Sequence, residues 1–211
     1  MDDDAVFAAQ ADRRRAVADL LDSLDDKQLA TPSLCAGWTV KAVAAHLVAA
    51  AATSAVSFLA AMVRSGFRPH VANTQRARKL ARRPAAELSR ALREHAGHRM
   101  HPPGIGAVGP MTDLLVHEGD MRLPLGLPFD PPLPLVAEAL GFLSGRAPGF
   151  VPKGRLAGIK LVPTDLDRTW GSGAELTGRA ADLMMAVCGR PAVLPSLTGP
   201  GAPILATRLT P

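Results

Sequence analysis

The chain has no tyrosine, and aromatic residues make up only 4% of its 211 positions. A stacking surface for nucleic-acid bases is therefore poorly provided for, and aromatics do not interleave with the basic residues. The core must be built from Ala, Leu and Val, which suits close helix packing. Cysteine is nearly missing too. Cys35 and Cys188 are far apart and neither belongs to a Cys-x-x-Cys pair, which excludes a disulfide framework and makes a reducing cytoplasm the expected location. The start, Met1-Asp2-Asp3-Asp4, lacks the basic residues that open a signal peptide. Long hydrophobic runs are scarce. The most apolar stretch, Val43 to Val63, is rich in Ala and Ser and contains His46, so no membrane span is expected. A phosphate-cradling loop is missing as well, since Gly171-Ser172-Gly173 has neither a buried strand before it nor a P-loop lysine after it. No internal repeat is present.

What is there points to a globular chain. Apolar residues reach 47%, enough for a core, and the net charge is +5. The basic residues are dispersed except at Arg76-Ala77-Arg78-Lys79-Leu80-Ala81-Arg82-Arg83. A moderate positive field suits an acidic small molecule, and no nucleic-acid partner is expected.

Periodicity predicts an amphipathic helix from Asp4 to Leu24, with Val6, Val17, Leu20, Leu21 and Leu24 on its apolar side. Asp25 to Gly37 reads as a loop. Thr39 is placed to cap a helix running to about Arg64, broken by Gly66 and Pro69. Further helices are expected over Val71–Leu80, Pro84–His95, Pro110–Arg122 and Leu133–Ser144. Beyond residue 150 the pattern changes. Strands are expected over Gly154–Val162, Leu166–Trp170, Ala174–Gly178 and Ile204–Leu209, with a helix over Ala180–Cys188 closed by Gly189. The expected organisation is a helical bundle over 1–148, carrying any metal site, and a small α+β domain over 149–211.

Three side chains stand out as ligand-capable: His46, Asp113 and His117. Asp113 and His117 are four residues apart, so they project from one helix face. Two imidazoles and a carboxylate suit zinc, and also iron or nickel, with one coordination position left for chemistry. Each residue also has a plain reading: His46 as a core histidine, and Asp113 as a carboxylate favoured at a helix start. Asp120, near the same face, could fix an imidazole tautomer. Glu118 and Arg122 read as a surface i,i+4 pair. His95, His98 and His101 read as solvated, and His70 and Asn73 are weak candidates for a cleft. Cys35 has no His or Asp partner nearby in sequence and reads as structural.

The stretch Leu34-Cys35-Ala36-Gly37-Trp38-Thr39-Val40-Lys41-Ala42-Val43-Ala44-Ala45-His46-Leu47 resembles a signature of the mycothiol-dependent maleylpyruvate isomerase-like family, within the DinB-like superfamily of metal-binding four-helix bundles. The stretch Asp113 to Gly126 is similar to the family's second signature. The resemblance implies an α+β fold, with a DinB-like four-helix bundle followed by a small sterol-carrier-like domain. It implies that His46, Asp113 and His117 hold a divalent metal, zinc foremost. It also implies mycothiol as thiol co-substrate. Asp113 departs from the family, whose usual residue there is Glu. The shorter side chain must approach the metal more closely or reach it through water.

The expected function is that of a metal-dependent, thiol-using transferase or isomerase acting on a small electrophile. Arg208 and, less directly, Arg122 are the candidate catalytic residues, as guanidinium groups for a carboxylate of thiol or substrate. The alternative is a catalytically inactive DinB-like ligand-binding or interaction protein. The sequence leaves the oligomeric state open.

Overall fold

The computed structural model describes residues 1–53, 76–99, 101, 105–145, 147 and 149–209. The far part of the helix expected to reach Arg64, the start of the one expected at Val71, and His70 and Asn73 lie outside the described residues. The architecture is mixed: helices over most of the chain, and one three-stranded sheet in its C-terminal part. No helix among the described residues is long and apolar enough to cross a membrane.

The described residues form two compact units. One comprises Asp2–Ala107 and His117–Pro128, the other Met1, Val108–Val116 and Phe129–Pro211. In the first, α1 (Asp3–Ser23) starts where the Asp2 carboxylate accepts the Ala5 N–H at 2.8 Å, with Asp3 and Asp4 favoured by the helix dipole. Its Val6, Val17, Leu20 and Leu21 are buried, and it packs on α3 (Val40–Ala51) and α4 (Ala85–Glu94). The segment after α1 is not wholly a loop. Asp25 and Gln28 make a reciprocal capping box that starts a short α2 (Asp26–Ala30), a signal overlooked in the sequence. Thr39 does cap α3, its hydroxyl accepting the Ala42 N–H at 3.2 Å. Arg14 is buried in this unit and donates to the carbonyls of Ala96 and His98 and to Gln10 Oε1. Burial holds its pKa below the ordinary arginine value.

Helix α5 (Val108–Arg122) is continuous, although the division into units falls between Val116 and His117. It ends in a 3-10 turn, Leu123–Leu125, and in Gly126 at φ +66, the left-handed stop that glycine tolerates best.

In the second unit, α6 (Leu133–Ser144) packs on α7 (Ala180–Val187), which packs on the sheet. Strand β1 (Ile159–Pro163) is central. It pairs antiparallel with β2 (Trp170–Gly171) and parallel with β3 (Ala174–Gly178), with Leu161 opposite Leu176. The first expected strand thus begins only at Ile159, because Gly154 and Gly158 take positive φ in a run of turns. The second shrinks to two residues. Ser172 and Gly173 carry the chain from one side of β1 to the other. A Cβ on Gly173 would lie 2.2 Å from the Gly158 carbonyl oxygen, so this glycine serves a close backbone crossing. The strand expected over Ile204–Leu209 is instead part of α8 (Gly201–Leu209). Gly201 and Leu205, four apart, are both buried against the sheet, so the helical period prevails over the β-branched composition.

Candidate metal centre

Helices α3 and α5 supply the ligand-capable side chains. Thr39 fixes where α3 starts, and from there His46 lies nearly two turns on, 8% exposed, among Val43, Ala45 and Leu47. On α5, Asp113 is half-buried and His117, one turn later, is buried. One ligand atom from each of His46, Asp113 and His117 lies within 4.8 Å of the others. The imidazoles of His46 and His117 meet edge to face, with ring centroids 4.8 Å apart. The Trp38 ring lies 5.4 Å from that of His46, tilted by 59°.

Two further carboxylates on α5 have different tasks. Asp120 is fully buried, and its Oδ2 lies 2.9 Å from His117 Nδ1. A carboxylate there favours the tautomer with the proton on Nδ1, which directs the Nε2 lone pair outward for a ligand. Glu118 is only 2% exposed. Its carboxylate takes both a bidentate ion pair from Arg13 on α1 and a 2.8 Å hydrogen bond from Arg122 Nε. The Glu118–Arg122 pair therefore exists but is not on the surface as expected. A third residue, Arg13, turns it into a buried clamp between α1 and α5, the only way such a charge is tolerated away from water.

The structure also gathers what the sequence kept apart. Cys35, His117 and Asp120 place ligand atoms within 4.8 Å of one another. Cys35 sits in a tightly tied loop. Ser33 Oγ donates to the Trp38 carbonyl at 2.9 Å, Cys35 N donates to Ser33 Oγ at 3.1 Å, and Gly37 turns at φ +75. The loop is anchored on α5 by Leu34 N donating to the Asp120 carbonyl at 3.2 Å. No spacing rule in the sequence could have revealed this grouping.

The other candidates are dispersed. His98 Nε2 contacts the Thr53 carbonyl at 2.9 Å, while the His101 ring stacks on Phe7. Arg76, from the basic run, donates to Thr53 Oγ1. Arg122, besides Glu118, reaches the Pro128 carbonyl at 3.4 Å. Arg208 lies in the second unit, exposed, with its Nη1 donating to the carbonyls of Arg155 and Ala157 at 2.8 Å each.

The donor chemistry fits a divalent cation. In tetrahedral zinc with bonds of about 2.0–2.2 Å to N and O, donors stand roughly 3.3–3.5 Å apart. The His46, Asp113 and His117 atoms, within 4.8 Å of one another, would have to draw together to reach that spacing.

Residues 11–102 match the family model described as the mycothiol maleylpyruvate isomerase N-terminal domain. His46 lies inside the matched segment, Asp113 and His117 beyond it. No curated protein matches the chain. Among solved structures, the crystal structure of the mycothiol-dependent maleylpyruvate isomerase superposes with a TM-score of 0.65 at 13% identity, covering 96% of this chain and 94% of that one. A variant of that enzyme with a histidine replaced by alanine gives a TM-score of 0.67 at 12% identity, with the same coverage. This likeness is one of fold.

Proposed function

We propose that this chain, a relative of the mycothiol-dependent maleylpyruvate isomerase-like proteins, is a metal-dependent enzyme that uses a low-molecular-weight thiol, mycothiol by kinship, to act on a small electrophile. The observation that carries the reading is the convergence of His46, Asp113 and His117, with Asp120 holding His117 by its other ring nitrogen.

In this reading His46 and His117 offer nitrogen lone pairs and Asp113 offers a carboxylate oxygen to a divalent cation, zinc foremost. When bound there, such a cation would lower the pKa of a thiol coordinated to it and favour the thiolate nucleophile. Asp120 keeps the His117 proton on Nδ1, and Trp38 packs beside His46. The thiol sulfur attacks an electrophilic carbon of the substrate. In a transferase the adduct is the product once the resulting anion takes up the proton that the thiol released. In an isomerase, addition to a conjugated double bond permits rotation before elimination. Arg208 is proposed to bind a carboxylate of thiol or substrate. Arg122 is the weaker candidate for that task, because its Nε is engaged by Glu118.

A second reading, a ligand-binding protein without activity, draws on the shorter reach of Asp113. Elemental analysis of chelator-free protein beside His46→Ala tests the metal. Near-stoichiometric metal in the wild type that is lost in the variant is expected, and no metal uptake even with added zinc refutes the mechanism. Assays with mycothiol and a panel of electrophiles then separate the two readings. Turnover that is the same with and without thiol refutes the thiol's role.

A further inference from the structure

In the second donor cluster, Cys35 has no task in the proposed reaction. Cys35, His117 and Asp120 converge within 4.8 Å, as closely as the three ligands proposed above, and the two sets have His117 in common. All three residues belong to one compact unit. Cys35 is not a lone thiol on a loose loop. Ser33 braces the turn around it from inside, and Leu34 N ties that turn to the Asp120 carbonyl. The turn thus fixes the sulfur beside the end of α5. Cys35 is half-buried, whereas Cys188 is buried.

Thiolate, imidazole and carboxylate make a softer donor set than two imidazoles and a carboxylate, and thiophilic ions such as zinc and cobalt favour it. Zinc–sulfur bonds of about 2.3 Å are longer than those to nitrogen or oxygen, which relaxes the approach required of the sulfur. Because one imidazole serves both sets, they compete for a single ion instead of holding two.

We propose that Cys35 is itself a metal ligand, forming with His117 and Asp120 a second, thiolate-containing set for a thiophilic divalent cation. The inference rests on the metal-binding reading above and adds to it an internal thiol that an external thiol must displace. In that exchange the incoming thiol would give up its proton and the departing Cys35 would take one up, with no change of oxidation state.

The experiment uses the full chain, reduced with a phosphine so that no small thiol is present, and loaded with cobalt(II). The expected result is a thiolate-to-cobalt charge-transfer band in the near ultraviolet for the wild type and for Cys188→Ser, and its loss in Cys35→Ser. With cobalt in large excess the band should also form in His46→Ala, which is expected to lose metal during purification but keeps Cys35, His117 and Asp120. Stoichiometric cobalt with no such band in the wild type, or the same band in Cys35→Ser, overturns the inference and leaves the His46, Asp113 and His117 reading standing. No cobalt binding by the wild type overturns both. A wild-type measurement guards against misfolded variants: zinc should slow alkylation of Cys35, read by peptide mass spectrometry, about tenfold or more. Equal alkylation rates with and without zinc overturn the inference.

Discussion

Asp120 shows how much a single buried carboxylate can decide. For the His46, Asp113 and His117 set it acts from outside the ligand shell, through its contact with His117 Nδ1, so its effect there passes through ring orientation and basicity. Asp120→Asn is expected to weaken zinc affinity by about 10- to 100-fold, measured by competition with a chelator of known strength. An unchanged affinity would show that the hydrogen bond only fills space. The i,i+4 relation of Asp113 and His117 could be read from the sequence because it is local and lies on one helix. Cys35 could not, since its neighbours in space lie on α5, most of a domain later in the chain. Glu118 misled for another reason. Glu and Arg one turn apart usually lie in solvent, and only Arg13 on α1 reveals that this pair is buried.

At the scale of elements, glycine positions govern the sheet. The chain passes between the two flanks of β1 through Ser172 and Gly173, and Gly173 sits at φ +121 against the Gly158 carbonyl. Gly173→Ala is expected to destabilise the chain by about 3 kcal/mol, since the clash is with backbone and the dihedral disfavours any side chain. A lower urea midpoint at unchanged slope checks it; an unchanged midpoint contradicts the crossing as described. Helix starts were the most legible elements, because Thr39 and Pro84 act through chemistry confined to one turn. The last element was misread because Ile204, Thr207 and Leu209 suit a strand, while the decisive fact, Gly201 and Leu205 pressed on the sheet, depends on tertiary packing.

For the whole molecule, proton binding and the proposed metal binding would both translate into stability. Burial raises the Asp182 carboxyl above its ordinary value, Arg179 works against that, and Asp165 and Asp130 add to it. A carboxyl raised in the fold is easier to protonate there than in the unfolded chain. Its charged form is therefore a cost at neutral pH, and the cost vanishes as pH falls through the folded-state value. Asp182→Asn is expected to stabilise the protein at pH 7, by less than about 1 kcal/mol because the group is half-exposed to screening solvent. The gain should shrink on acidification. A gain that grows on acidification, followed by thermal unfolding across pH, would contradict the assignment. Zinc at about a hundred times its dissociation constant is expected to add about 2.7 kcal/mol to the wild type, read as a higher unfolding midpoint. The mixed helical fold with a small late sheet was legible from the change of hydrophobic period near residue 150. The partition into compact units was not, because helix α5 contributes to both.

The bond from Leu34 N to the Asp120 carbonyl joins the first signature to the end of α5. A nascent chain still shorter than residue 120 holds Cys35 and His46 in place of a complete centre. Capture of the proposed ion by either donor set would therefore have to wait until synthesis has passed His117, and could not help the earlier helices to fold on the nascent chain.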